Sequence, residues 1–361
     1  MLPLAIGFYS VLPTRFPEDP VFQTLFQRVR DHFLPATDEM LSLWRGHRVF
    51  SIDGSTSSTP DTPELQKTYG QPAGQKPGCG FPVATLVGLF RSGSGLLVDP
   101  LIAPLRTHEA AIAHLLFKHL KPNDVLVGDR AFSSYVLVVL LQQRGVHAVM
   151  RLHQRRKTDF RRGRYLGVRD RLVRWTKPAR RPAWMDEEMF DSLPAEMTLR
   201  QVEYQVQENG YRSQKVVLVT TLTDAEKYPK QELASLYGDR WQVETCFRHL
   251  KQTMQMDALR CKTPDGVEKE LWMFGIIYNL VRSVMVEAAQ RQGVEPNRIS
   301  FIDTLRWLML RGPGEPLPVL LVNPYRPGRV QPRVVKRRPK QYSLMTKPRK
   351  EMMEAMTAWK R

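Results

Sequence analysis

Apolar residues change period several times along this chain, and each change predicts an element. A helical repeat runs from about Pro20 to Phe33 and again from Asp38 to Arg45, with the mixed charges of a small bundle. At Arg48 the period becomes that of a strand, Val49-Phe50-Ser51-Ile52, which ends in Asp53. Residues 54–80 are rich in Gly, Pro, Ser and Thr and predict a long loop. Phe81 to Arg91 and Leu96 to Ala103 then predict two strands joined through Ser-Gly-Ser-Gly as a hairpin. An amphipathic helix follows from Thr107, its expected cap, to Leu120. Next come a strand from Asp124 to Phe132, a helix from Ser133 to Arg144 closed by Gly145, and a strand from His147 to Leu152. This order predicts a mixed sheet covered by helices, with the first and fourth strands as neighbours.

Beyond His153 the pattern turns strand-like, with runs at Asp170–Thr176, Thr198–Gln207 and Gln214–Leu222. Helix resumes from Pro229 through Gln255, then from Val267 to Gly293 and from Ser300 to Arg311. The expected organisation is therefore a short helical region (1–46), the first part of an α/β core (47–153), a β-rich basic insertion (154–228), the rest of the core with C-terminal helices (229–320), and a basic tail (321–361). The most apolar stretch, Leu271 to Ala289, is interrupted by Asn279, Arg282 and Glu287. It predicts a buried helix and no membrane span.

Charge changes the picture. The net charge is +18, the pI is near 10.0, and hydrophobic residues make up 42% of a 361-residue chain. A globular protein this basic points to a polyanionic partner, nucleic acid first. Thirteen Arg or Lys fall between 151 and 181, with Arg155, Arg156 and Arg162 among them, against only Asp159 and Asp170. That density suits a track for phosphates, which positions DNA without reading its sequence, although a solvated charged loop has the same composition. From Pro324 to Lys350 ten further bases occur with no acid, as expected of a poorly folded arm. Cys79, Cys246 and Cys261 form neither a disulfide framework nor a zinc pattern. With no signal peptide evident at the start, the reading is cytosolic.

The candidate chemistry lies in Tyr237-Gly-Asp-Arg240-Trp-Gln-Val-Glu244, continued to Lys251. At about 100° per residue the four polar anchors fall within one stripe of a helix. An acid flanked by cations on one face suits a metal site that handles phosphate, or an intrahelical ladder of ion pairs. Two more acids end predicted strands: Asp53 the first and Asp129 the fourth. Each has a simpler reading, Asp53-Gly54 as a turn and Asp129-Arg130 as an ion pair. Two Asp and one Glu are nevertheless sufficient protein ligands for Mg²⁺, which takes oxygen donors and keeps several waters. Two such ions can serve the attacking and the leaving oxygen of a phosphodiester displacement.

Ile52-Asp53-Gly54-Ser55, Val127-Gly128-Asp129-Arg130-Ala131-Phe132 and the Y-x2-R-x3-E-x6-K array of Tyr237, Arg240, Glu244 and Lys251 resemble the DDE transposases of the insertion-sequence-four family. The resemblance runs from about residue 48 to 342. It implies a ribonuclease-H-like core interrupted by a β-strand insertion before the last acid. It further implies Asp53, Asp129 and Glu244 as ligands of two Mg²⁺ ions, with Mn²⁺ as a substitute. Tyr237, Arg240, Lys251 and Arg130 would hold DNA phosphates, and an aromatic of the insertion, Trp175 or Trp184, would stack on a flipped base unless packing claims it. Trp241 is expected in the core. The implied partners are element terminal inverted repeats and target DNA, joined by a homodimer through a hairpin intermediate in a bacterial cytoplasm, at the nucleoid. Only about fifty residues precede Asp53, where relatives carry a longer end-recognition region. The alternative function is therefore an inactive copy that only binds DNA or inhibits.

Overall fold

The computed structural model describes residues 21–206, 214–312, 314–324 and 345–359. Most of the basic tail, the chain start and the end of the strand expected at Gln207 lie outside these residues. The first helix, α1 (Val21–Met40), is continuous where a break was expected. Pro35 removes one backbone donor, but the Thr37 hydroxyl bonds Leu34 O at 2.9 Å, and Asp38 is held by Arg91 at 2.6 Å and Arg48 at 2.9 Å. These ion pairs tie the last turns of α1 to the sheet, which offsets the proline.

Strand β1 (Val49–Ser58) does not stop at Asp53. The Gly-Ser-Thr-Ser-Ser run that reads as loop stays in register with β2, Gly54 opposite Val87 and Ser58 opposite Val83, so the ladder supplies what side-chain propensity lacks. A short helix α2 (Pro63–Tyr69), capped by Thr62, follows within the expected loop. The hairpin of β2 (Val83–Arg91) and β3 (Leu97–Pro104) is as predicted. The helix expected at 107–120 is instead a four-residue α3 (Glu109–Ile112) and a 3₁₀ coil over Ala113–His119, with no side-chain cap from His108. Ile112, Ala113, Leu116 and Phe117 are all buried from this tighter coil, so packing sets its pitch.

Strand β4 (Val125–Gly128), helix α4 (Tyr135–Gln143) and β5 (His147–Arg151) complete the first part. β6 (Arg164–Gly167), β7 (Asp170–Thr176), helix α5 (Glu187–Asp191), β8 (Glu196–Val206) and β9 (Gln214–Thr220) come next. All nine strands form one sheet in the order β3-β2-β1-β4-β5-β9-β8-β7-β6. β4 runs parallel to both β1 and β5, while β2, β3 and β6 to β9 pair antiparallel. The five strands β3-β2-β1-β4-β5 are the mixed sheet of a ribonuclease-H-like fold, and the strands of segment 154–228 continue that sheet through the β5/β9 pair.

The remaining helices are α6 (Lys230–Asp239), α7 (Trp241–Arg248), α8 (Pro264–Gln292), α9 (Phe301–Leu310) and α10 (Arg349–Trp359). Alternation along the central strands divides the core. Phe50, Ile52 and Leu126 pack toward α4 and the 3₁₀ coil, whereas Val49, Val125 and Val127 pack with Leu233, Leu236 and Tyr237 of α6. α8 is long and apolar enough to cross a membrane by length and composition, but more than half of its apolar stretch is buried against α1 and the hairpin. Its polar interruptions explain themselves. Asn279 accepts from Leu97 N and donates to Leu97 O, each at 2.8 Å, Tyr278 donates to Gly95 O at 2.8 Å, and Arg282 donates to Ser94 O at 2.7 Å. They satisfy a hairpin turn that would otherwise be buried without partners.

Candidate active site

The parallel pairing of β1 with β4 sets Ile52 opposite Gly128, so Asp53 and Asp129, the next residue on each chain segment, come at the same level. Val49, Phe50, Ser51 and Ile52 are buried, as is all of β4, and both acids emerge where this apolar ladder ends. Asp129 turns the chain as it emerges: its Oδ1 accepts from Ala131 N at 2.7 Å and caps the 3₁₀ turn Arg130–Phe132. Asp53 stays in the strand, with Oδ1 accepting from Gly54 N at 2.9 Å. The Asp53-Gly54 pair is therefore not a turn.

The third acid arrives on a helix that is less regular than its sequence suggests. The expected continuous helix is divided at Arg240, where α6 passes into α7, and it widens into a π-turn over His249–Thr253. π-turns concentrate at functional sites because they re-aim side chains. Here the π-turn carries Lys251, whose Nζ donates to Ser55 Oγ at 3.2 Å, two residues beyond Asp53. Arg240 lies between two acids, donating to Asp53 Oδ2 at 3.2 Å and to Glu244 Oε1 at 2.8 Å. Its Nε is buried with no partner among the described residues. The array is thus a bridge between the helix and the sheet, and no simple ladder along one face.

The electrostatics follow from this geometry. Burial pushes Asp53 up to about 6, against the pull of Arg240 and the Gly54 amide and with a further push from Asp129 and Glu244. A carboxyl missed in the sequence is also part of the cluster. Glu109, the first residue of α3, is raised to about 7 by burial and then by Asp53 and Asp129. Burial would lower the Arg240 guanidinium, but Tyr237, Glu244 and Asp53 outweigh it and the net shift is upward. Among the described residues no three acids converge closely enough to hold a metal ion as they stand, with Arg240 set among them. The donor set still suits a hard divalent cation, being all carboxylate oxygen, and one positive group already bridges two of its members.

The remaining expected contacts are distributed unevenly. Tyr237 is buried in the core with the Arg240 guanidinium 5.6 Å from its ring centre, and burial raises its phenol. Arg130 donates to Gln154 Oε1 at 2.8 Å. Arg155 and Arg162 are exposed, the latter paired with Asp159 at 3.4 Å. Trp175 is 4% exposed, and the Arg156 guanidinium lies 3.7 Å from its ring centre, so in this structure its face is already occupied. Trp184 stacks on His114 at 4.3 Å. Trp241, expected in the core, is 60% exposed, because α7 buries Val243, Cys246 and Phe247 on its opposite face. Glu109 and Ser55 were the contacts that sequence reasoning missed, and the small residue Gly54 was the one hint of a close neighbour.

Residues 44–280 match the family described as the transposase DDE domain. Over 334 residues the chain is 32% identical to the transposase InsG for insertion sequence element IS4 of Escherichia coli K12, a match spanning 86% of this chain and 72% of that protein. The putative transposase InsZ of the same organism is 36% identical over 103 residues, or 28% of this chain and 34% of InsZ. Among solved structures, a piggyBac transposase synaptic complex with hairpin DNA matches 82% of this chain and 62% of its own at 12% identity, with a TM-score of 0.41, a likeness too loose to carry weight. The family match covers the strands and helices that bear all three acids. The chain belongs to the DDE transposases of the insertion-sequence-four family.

Proposed function

We propose that this transposase cleaves DNA at insertion-sequence ends and joins the freed strands to target DNA, with Asp53, Asp129 and Glu244 as ligands of two divalent cations. The observation that supports this most is the register that brings Asp53 and Asp129 out side by side, with Glu244 tied to Asp53 through Arg240. Mg²⁺, or Mn²⁺ in its place, would supply charge neutralisation and an activated oxygen for in-line displacement. The chain's own groups do the positioning. Arg240 offers its unpartnered buried Nε–H to a phosphate oxygen, and moving onto phosphate would free both carboxylates for cations. Lys251, held by Ser55 beside β1, and Arg130, beyond β4, flank the acids as further phosphate contacts. The exposed arginines of segment 151–181, Arg155 and Arg162 among them, extend the track away from the acids. Cleavage runs through a hairpin, and a homodimer pairs two element ends at the bacterial nucleoid in this reading.

The test is a denaturing gel of products from an element-end duplex incubated with Mg²⁺ and wild-type protein, Asp129→Asn or Glu244→Ala. Nicks, hairpins or joined strands from the wild type alone are expected, with DNA binding kept in both variants. Cleavage retained by Asp129→Asn would remove the metal-ligand assignment. Binding without any product from the wild type would leave a protein that only coats DNA.

A further inference from the structure

The acids already described leave one neighbour unexplained. Gly54 lies inside β1 in ordinary extended backbone and is not among the positive-φ residues, so it is not there for conformational freedom. It is there for space: a Cβ built on Gly54 would land on the carboxyl group of Glu109. Glu109 therefore lies flat against the backbone one residue beyond Asp53. Alternation along β1 puts it on the side opposite Arg240. Its helix α3 packs against β2 and against the Arg130–Phe132 turn that Asp129 caps. Glu109 thus lies near enough to Asp53, within β1, and to Asp129, just beyond β4, for both acids to act on it. Among the described residues no Lys, Arg or His is within ion-pair distance of Glu109 or of Asp129, whereas Asp53 and Glu244 share Arg240. A half-buried carboxylate beside two others, with no cation of its own, is costly unless a cation arrives.

We propose that Glu109 is a fourth carboxylate of this site, facing the divalent cation held between Asp53 and Asp129, and that Gly54 is required to admit it. The inference rests on the reading of Asp53 and Asp129 as metal ligands. On it, Gly54 and Glu109 act as one unit: the glycine leaves the opening and the glutamate fills it. Placing a Cβ at residue 54 moves only the far end of a flexible side chain, so the fold survives while the carboxylate is turned away from the cation.

The experiment is titration of the full-length, DNA-free protein with Mn²⁺ by calorimetry, with thermal unfolding in EDTA run beside it. Glu109→Gln should weaken Mn²⁺ binding roughly tenfold, within the range known for groups that tune a metal site. Gly54→Ala should weaken it as much, and the double variant no further than either single change, because each removes the same interaction. Thermal unfolding without metal should be unchanged or slightly improved in Glu109→Gln. If that variant does not fold, Gly54→Ala, which keeps the charge, decides the matter alone. Wild-type Mn²⁺ affinity in both single variants, with Asp129→Asn impaired, would overturn the inference and leave the three-acid reading standing. Wild-type affinity in Asp129→Asn as well would remove that reading and this inference with it.

Discussion

On β1 and β4 the residues leading up to Asp53 and Asp129 are all buried, whereas β6 buries none of its four residues fully and β7 carries Asp170, Arg171 and Arg174 beside Leu172, Val173 and Trp175. In the proposed reading the contrast reflects two different tasks. Carboxylates meant to hold a small dication have to be fixed in a poorly solvated place, which apolar ladders do at the cost of raised pKa values at Asp53 and Glu109. Cations meant to follow a long, evenly charged backbone work best exposed, on flexible stems, with no fixed geometry. One continuous sheet supplies both, with Asp53 and Asp129 at β1 and β4 and exposed bases toward the β6 edge.

The largest effect is expected at Arg200, a buried charge in the outer strands. Arg200 on β8 donates to Asp170 on β7 at 2.8 and 2.5 Å, and its side chain is 1% exposed. Arg200→Ala would strand the Asp170 carboxylate and should cost about 3 to 5 kcal/mol in urea unfolding. A smaller loss would mean that apolar packing, as in the inner half, holds the outer strands as well. A sharper but milder test is Arg155→Ala with Arg162→Ala. Removing each phosphate-binding arginine should lower the slope of log affinity against log salt by about 0.9, with metal binding untouched. An unchanged slope in fluorescence anisotropy would make both residues solvated charges and nothing more.

The smallest effect concerns the helix behind the acids. His249 stacks on Phe301 at 4.2 Å, and burial, then Arg282 and Arg248, lower its pKa to about 3. The folded state therefore holds a neutral ring, while the unfolded chain takes up a proton below about pH 6.5. Stability is lost as pH falls through that window toward the folded value. His249→Phe should flatten the fall in melting temperature over the same window, and an equal fall in both proteins would show that the folded protein protonates this ring as readily as the unfolded chain does.

The sequence pointed to the acids because Val49-Phe50-Ser51-Ile52 and Val125–Gly128, short strand-like runs, lead straight into Asp53 and Asp129. What it concealed depended on partners distant in the chain. The second half of β1 is polar and reads as loop until β2 supplies its ladder. The π-turn at His249–Thr253 leaves no trace in a stripe whose spacing still fits an α-helix, since only the bond from Lys251 to Ser55 shows where the lysine is aimed. Trp241 was misplaced because its size suggested burial while its helix had other residues to bury. Glu109 had no motif of its own; it follows only once Gly54 is known to sit inside a strand.

The order of the strands also bears on self-association. A sheet this wide ends in two rims whose backbone groups would accept a strand from any passing chain. At β3 the rim is closed from within, since Asn279 bonds both backbone groups of Leu97 and α8 packs alongside. At β6 nothing comparable is needed, because the strand is only four residues long and Arg161, Arg162 and Arg164 stand exposed at its start. Like charges there repel a second copy approaching edge to edge, so the bases that suit a polyanion also oppose edge-to-edge pairing of two copies.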